Sequence, residues 1–299
     1  MTQLPFPDMM TPHGLMPSDP VLTAPSRQVL KWIGNKHKVA AAIAASFPTD
    51  FRRYYEPFIG SAAVLGTLAP RDAVASDVLA PLVAIWQRVQ ADPQAVYAAY
   101  EARFQAFTTQ DRKVVYRAIL DRYNATGDPD DLLFVARTCY GGVIRFDRKG
   151  TMNTPCGVHA ALPLKKFAEA LAQWQPRLAG TRFVVGDFET QIDDAGPGDL
   201  VYCDPPYQDC GKNLYGAQTF SLQRLFAAID RARGRGVRVA LSLDGSKRSG
   251  DRLCNVLIPQ GLFAQDREVK LGRSMLRRFQ MAGQTLESEQ VADRLLTTW

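Results

Sequence analysis

Histidine is scarce in this chain. Its 299 residues hold three, His13, His37 and His159, too scattered for a metal site or a histidine-centred base. Cysteine is sparse and odd in number: Cys139, Cys156, Cys203, Cys210 and Cys254 form no Cys-x-x-Cys pair. That usage reads as a reduced, cytosolic protein without structural zinc. No apolar run approaches the roughly 18 residues a membrane helix needs. The opening MTQLPFPDMMTPHGLMPSDP is rich in Pro and Met. It lacks the positive region and apolar run of a secretory signal. We expect residues 1–25 to be a flexible N-terminal extension and the protein to be cytoplasmic. The chain shows no internal repeat.

What is present is an ordinary globular composition, 46% apolar and 22% charged, long enough for a catalytic domain with a sizeable insertion. The net charge of +6 is clustered. Arg224, Arg231, Arg233, Arg235, Arg238, Lys247, Arg248 and Arg252 form one group. Arg267, Lys270, Arg273, Arg277 and Arg278 form a second, and Arg27, Lys31, Lys36 and Lys38 a third. Solvated helix faces explain any single cluster equally well; three together lean toward a polyanionic partner.

Short apolar runs alternate with helical patterns. Tyr54 to Phe58, Ala73 to Asp77, Phe183 to Phe188, Leu200 to Asp204 and Val237 to Asp244 read as strands. Ala62 to Leu68, Leu79 to Val89, Leu164 to Trp174 and Leu222 to Ala232 read as helices. This alternation predicts an α/β fold, a parallel sheet covered on both faces. A long gap separates the second helix from the third strand. In it, Val96, Tyr100, Phe104 and Phe107 share one helical face, as do Tyr116, Leu120 and Tyr123. The gap ends in the glycine-rich CYGGVIRFDRKGTMNTPCG, carrying Arg145, Arg148 and Lys149. We read residues 91–162 as an inserted, mostly helical domain, and 26–90 with 163–299 as the domain that receives it.

Four positions at the carboxyl ends of strands carry candidate chemistry, since ligands bind that edge of an open parallel sheet. In EPFIGSAAV, Gly60 sits at a strand-to-helix turn where backbone N–H groups can approach a ligand; many tight turns also hold glycine. Asp77 can accept from both hydroxyls of a ribose, or cap the next helix. Asp187 can accept from an adenine amino group, or serve a turn. DLVYCDPPY is sharper: an apolar strand ends in Asp204-Pro205-Pro206-Tyr207. Two prolines restrict the backbone, so the Asp204 carboxylate and the Pro205 carbonyl can face one ligand. Both can accept from an aromatic exocyclic amine, pulling its nitrogen toward sp3 and freeing its lone pair. Tyr207 offers a face for the base to stack on, which a duplex permits only once the nucleotide has flipped out. The bland alternative is a Pro-Pro turn after a buried strand.

From about residue 30 onward the chain resembles the D12 class of N6-adenine-specific DNA methyltransferases, the Dam-like family. KWIGNK resembles its opening Lys-Trp-x-Gly-x-Lys, EPFIGSAAV its cofactor loop, and SDV at 76–78 its ribose-binding acid. The segment from Tyr140 resembles its DNA-recognition segment, DPPY its catalytic signature, and RLLTTW its closing strand. The resemblance implies a Rossmann-like S-adenosylmethionine-dependent sheet with an inserted DNA-recognition domain. Double-stranded DNA would be the partner, with no metal and no membrane, and a cognate restriction endonuclease could act separately. Trp32, Lys36, Phe58, Gly60, Asp77, Asp187 and Asp204 would bind the cofactor. Asp204, Pro205 and Tyr207 would be catalytic, and Lys31, Tyr140, Arg145, Arg148 and Lys149 would contact DNA. Departures from the pattern are Ala62 for the loop's second glycine, Gly141-Gly142 for Asn-Gly, and Asp147 and Met152 for Asn and Phe. Two other readings stay open: an RNA amino-group methyltransferase, and a DNA-binding protein with an inactive methylase fold.

Overall fold

The computed structural model describes residues 22–147, 149–206, 220–244, 256–272 and 291–299. Seven strands form one sheet: β1 (Tyr54–Glu56), β2 (Ala73–Asp77), β3 (Thr181–Val185), β4 (Leu200–Cys203), β5 (Arg238–Asp244), β6 (Gln265–Gly272) and β7 (Val291–Thr297). Their order is β3-β2-β1-β4-β5-β7-β6. The strands β1 to β5 pair in parallel, and β7 runs antiparallel between β5 and β6. The order reverses between β1 and β4, so the crevice for a ligand opens beyond their carboxyl ends.

Side chains alternate across this sheet as a strand's period of two demands. Tyr54, Ala73, Ala75, Leu200, Tyr202 and Ala240 belong to the core on one face. Tyr55, Val74, Val201, Cys203, Val239 and Leu241 belong to that on the other. The second face is covered by α8 (Phe188–Asp194) and α9 (Leu222–Gly234). The first is covered by α1 (Ala40–Ala45), α2 (Ala63–Leu68), α3 (Ala80–Ala91) and α7 (Leu164–Trp174), together with the helices inserted between β2 and β3.

Those inserted helices are punctuated by local chemistry. The helix α4 (Pro93–Thr109) is capped by Asp92, whose side chain accepts from Ala95 N–H. In α6 (Pro129–Thr138), Asp128 does the same for Asp131 N–H. An Asp N-cap followed by Pro at the first helical position satisfies one orphan donor and removes another. Between them, α5 (Arg112–Thr126) is capped by Asp111 and stopped by Gly127 at φ 70°. Buried Asp131 accepts from Arg103 Nε at 2.7 Å and Arg122 Nε at 2.6 Å, locking α4 and α5 onto α6. The interior of these helices runs without a break into the core beneath the sheet. Tyr100 stacks on Phe167 of α7 at 3.9 Å between ring centroids, and Trp86 of α3 lies 5.0 Å from Trp174.

Elements differ from the sequence expectation at α1, which the helical patterns did not include, and at the third strand, α8 and β6. The third strand stops at Val185, and Phe188 opens α8, with Asp187 as N-cap accepting from Glu189 N–H. The strand β6 was not expected, because QDREVKLG is too charged to read as buried sheet; it is paired on its β7 side. Of the expected N-terminal extension, residues 1–21 lie outside the described residues. Thr23 is described, and its carbonyl accepts from Arg177 Nη1 at 2.9 Å.

Candidate active site

The loop of residues 32–36, the turn after β1 and the segment after β4 meet at the switch point of the sheet. Trp32, Lys36, Glu56, Phe58, Gly60, Asp204 and Pro205 all line one open cleft of about 840 Å³. Gly60 holds φ +43°, and a Cβ placed there would lie 3.2 Å from Trp32 Cδ1. Glycine is therefore favoured twice over, for the backbone turn and for the close approach of the indole. The Gly60 carbonyl accepts from Trp86 Nε1 at 3.0 Å, which ties the turn to α3. Two residues on, Ala62 is fully buried and left-handed, at φ 54° and ψ 25°. A glycine at this position would adopt that backbone state freely, whereas alanine adopts it under strain.

The acidic groups of the cleft are not equivalent. Lys36, 4% exposed, places Nζ 2.9 Å from Asp204 Oδ1 and donates to the Gly34 carbonyl at 3.2 Å. Burial pushes the Asp204 carboxyl above its ordinary range, and the Lys36 ammonium pulls it back. Glu56, 3% exposed at the end of β1, accepts from the Tyr54 hydroxyl at 2.7 Å. Burial pushes its carboxyl up to about 8; the Tyr54 bond opposes this and the neighbouring Asp204 charge adds to it. Behind them, Tyr202 and Ser242 share a buried hydroxyl–hydroxyl bond of 2.9 Å. Asp204 beside a fixed cation that favours its charged form, next to a carboxyl that burial favours in its protonated form, suits an acceptor for a neutral amine. Glu56 is the functional candidate that motif reading missed, although an acid closing an apolar strand was visible in EPFIG.

Asp77 sits beside this cleft. Its carboxylate accepts from Leu79 N–H at 3.1 Å and from Gly60 N–H at 3.5 Å, so it braces both the turn and the entry to α3. Asp187 stands further along the edge, its carboxylate paired with Arg224 at 2.8 Å. Between Asp187 and the cleft lies an aromatic cluster: Phe58 stacks on Phe188 at 5.2 Å, and the Arg224 guanidinium lies 5.0 Å over Phe188. Tyr207 lies outside the described residues.

The expected DNA contacts gather at a hairpin after α6. Phe146 and Met152 pair across it and are buried, while Arg145 and Lys149 are exposed. Asn124 of α5 braces its back, donating to Met152 O at 2.9 Å and accepting from Met152 N–H at 2.8 Å. Asp147 shapes the tip: its Oδ1 accepts from Lys149 N–H at 2.8 Å and Thr151 N–H at 2.9 Å. Tyr140 is 38% exposed at the base. Lys31 reaches the same base, since a Cβ on Gly142 would lie 2.6 Å from Lys31 Cε. Arg148 lies outside the described residues.

The largest basic cluster does not form a free cationic face where it is described. Arg224 and Arg231 pair with Asp187, Glu189 and Asp193 of the α8 segment. Arg235 donates to Ile192 O at 2.9 Å, and Arg238 pairs with Asp50 at 2.6 Å. The acids that neutralise them are distant in sequence, which hid the pairing. Lys247, Arg248, Arg252, Arg273, Arg277 and Arg278 lie outside the described residues. Among the described residues no group of three His, Cys, Asp or Glu could hold a metal ion, and no helix is long and apolar enough to cross a membrane.

Comparison with known proteins follows the same lines. A DNA N-6-adenine-methyltransferase of Escherichia phage P1 is 28% identical over 231 residues, 74% of this chain and 30% of that protein. The chain thus spans under a third of the phage protein's length. It matches more of two other relatives. A type II methyltransferase, M1.LlaDCHI, of Lactococcus lactis subsp. cremoris is 25% identical over 74% of this chain and 82% of its own. A DNA adenine methylase of Vibrio cholerae is 25% identical over 72% and 80%. Among solved structures, an rRNA methyltransferase from Streptomyces viridochromogenes aligns over 87% of this chain and 84% of its own, at 14% identity and a TM-score of 0.35, too loose to bear on function. The family model for D12 class N6 adenine-specific DNA methyltransferases matches residues 32–238, well over half of the sequence, and the chain belongs to that family.

Proposed function

We propose that this protein transfers a methyl group from S-adenosylmethionine to N6 of adenine in duplex DNA. The observation that carries this reading is Asp204, held beside Lys36 in a cleft that the KWIGNK and EPFIG loops build at the switch point. The donor set fits this cofactor. Lys36 offers an ammonium for its carboxylate, the turn at Gly60 offers close backbone approach, and Trp32 and Phe58 offer apolar walls. Asp77 would hold the ribose, and Asp187, fixed by Arg224, the adenine. When bound, the cofactor supplies a methyl group already activated on a sulfonium. The protein's own task is then orientation and electrostatics. The Asp204 carboxylate and the Pro205 carbonyl accept the two N–H bonds of the target amine, with Tyr207 as stacking partner for the flipped base.

Residues 91–162 are proposed as the target-recognition unit, with Lys31, Tyr140, Arg145, Arg148 and Lys149 on the DNA. Exposed Arg145, on a hairpin braced from behind by Asn124, is the best candidate for a bidentate contact to a guanine edge. Incubation with S-adenosylmethionine and unmethylated genomic DNA, followed by nucleoside mass spectrometry, tests the reading. N6-methyladenine at a recurring motif is expected. Asp204→Ala should abolish it while cofactor binding, measured by calorimetry, persists. Unmodified DNA alongside methylated RNA would instead favour an RNA amino-group enzyme.

A further inference from the structure

Cys139 and Cys156 face each other across the neck of the hairpin, as partners in an antiparallel bridge. The bridge is framed by two backbone bonds: Tyr140 N–H donates to Pro155 O at 2.8 Å, and Gly157 N–H donates to Thr138 O at 2.8 Å. Both bonds flank the cysteine pair and neither joins it, so the pair occupies a non-hydrogen-bonded site of the ladder. Opposed Cα atoms at such a site lie about 4.5 Å apart, with their side chains on one face. A disulfide accepts Cα separations of roughly 4.4–6.8 Å. The neck therefore meets the requirement without backbone movement. Each Sγ now points to a carbonyl, Cys139 to Ala136 O at 3.6 Å and Cys156 to Gly157 O at 3.5 Å. Closure needs side-chain rotation only.

The two thiols are also unequal. Cys139 is buried, 5% exposed, and burial pushes its thiol up to about 11, with the Lys31 ammonium opposing. Cys156 is half-buried and reachable from solvent. One thiol can meet a small oxidant and the other can only meet its neighbour.

We propose that Cys139 and Cys156 form a reversible cross-strand disulfide by exchange with a small-molecule disulfide of the glutathione class. Cys156 loses its proton, and its thiolate attacks one sulfur of the oxidant. A mixed disulfide forms and the first glutathione thiolate leaves, taking up a proton. Cys139 then loses its proton and attacks the Cys156 sulfur, expelling the second glutathione, which is protonated in turn. Two protein thiols are oxidised and one glutathione disulfide is reduced to two thiols. The resulting bond fixes the end of α6 to the return strand of the hairpin. In a reducing cytosol the pair stays open, and it closes when the small-disulfide pool rises.

The test uses the full chain with oxidised glutathione, followed by alkylation, digestion without reduction and mass spectrometry. The expected major product is the peptide pair joined through Cys139 and Cys156, lighter by two hydrogens and reopened by dithiothreitol. Cys139→Ser should stall with glutathione on Cys156, and Cys156→Ser should leave Cys139 unmodified while folded. Native-state alkylation, which needs no variant, should label Cys156 well before Cys139. Persistent glutathione on Cys156 of the unmutated chain would overturn the proposal. So would cross-links running mainly to Cys210 or Cys254, or thiols left reduced where the unfolded chain oxidises. None of these readouts depends on methyl transfer, so this inference and the functional one fail separately.

Discussion

The Nζ of Lys36 lies 2.9 Å from Oδ1 of Asp204, although one residue belongs to the loop before α1 and the other follows β4. The contact gives Lys36 two roles. Under the proposed function it would offer charge to a cofactor carboxylate, and it opposes the burial that raises the Asp204 carboxyl, favouring the state that can accept from an amine.

Lys36→Met removes both roles, and two readouts report on them separately. Burial already raises the Asp204 carboxyl, and Lys36 is the group that opposes the rise. Its removal should move the acid limb of the kcat/KM profile to higher pH, by about one unit or more. Cofactor affinity should also fall, by roughly tenfold or more, as expected for loss of a charged partner. An acid limb that stays in place would show that Lys36 does not tune Asp204.

Glu56→Gln should change stability in a pH-dependent way. Burial lifts this carboxyl from its ordinary 4.5 to about 8, so the folded protein holds the proton more tightly than the unfolded chain. The stability this contributes is complete below about 4.5 and is lost as the pH rises toward 8. Glutamine carries no such proton. The variant's unfolding free energy from urea titration should therefore gain on that of the unmutated protein across that window, by a few kcal/mol at most. Parallel pH profiles would refute the assignment.

Ala62→Gly should raise stability, where a glycine substitution ordinarily lowers it. A non-glycine residue at φ 54° costs about 1 kcal/mol, partly offset by the unfolded-state entropy and the buried methyl that glycine forfeits. A gain of up to about 1 kcal/mol in a denaturation series is expected. A loss of that size would mean that the buried methyl outweighs the strain.

Arg145→Ala should relax sequence preference at one position of the methylated motif, costing about 1–3 kcal/mol of discrimination there. Modification-sensitive sequencing reads this directly. A uniform drop at all sites, with a shallower salt dependence, would make Arg145 a phosphate contact instead.

Much of the sheet was legible because buried parallel strands read as continuous apolar runs. Tyr54, Ala73 and Leu200 begin strands where the hydrophobicity begins. The strand β6 was not legible, since exposed residues such as Asp266, Arg267 and Glu268 carry no apolar signal and acquire their partner only through β7. The helix α8 was hidden behind Phe183-Val184-Val185, whose apolar run seemed to continue through Phe188 until Asp187 acted as its cap. Within the site, Gly60, Asp77 and Asp204 could be placed from motif spacing. The pairing of Lys36 with Asp204, and of Arg224 with Asp187, depends on segments that meet only in the folded sheet.

The helices α4 to α6 share their interior with the sheet, and the hairpin from Cys139 to Gly157 adds only Ile144, Phe146, Met152 and its first residue to that core while leaving and rejoining the body at adjacent points, with Gly157 N–H bound to Thr138 O at 2.8 Å. These two facts set the grain along which the protein could be re-engineered. Exchanging the whole insertion between relatives would tear a common core and leave complementary surfaces unmatched. Exchanging the hairpin alone carries Arg145 and Lys149 and leaves both cut ends where they were, provided that Asn124 of α5 and the core around Ile144, Phe146 and Met152 are matched in the recipient. The smallest portable unit is thus the hairpin with its Asn124 brace, and chimaeras cut at its neck that keep this bond and the buried Ile144, Phe146 and Met152 are the ones that should still fold.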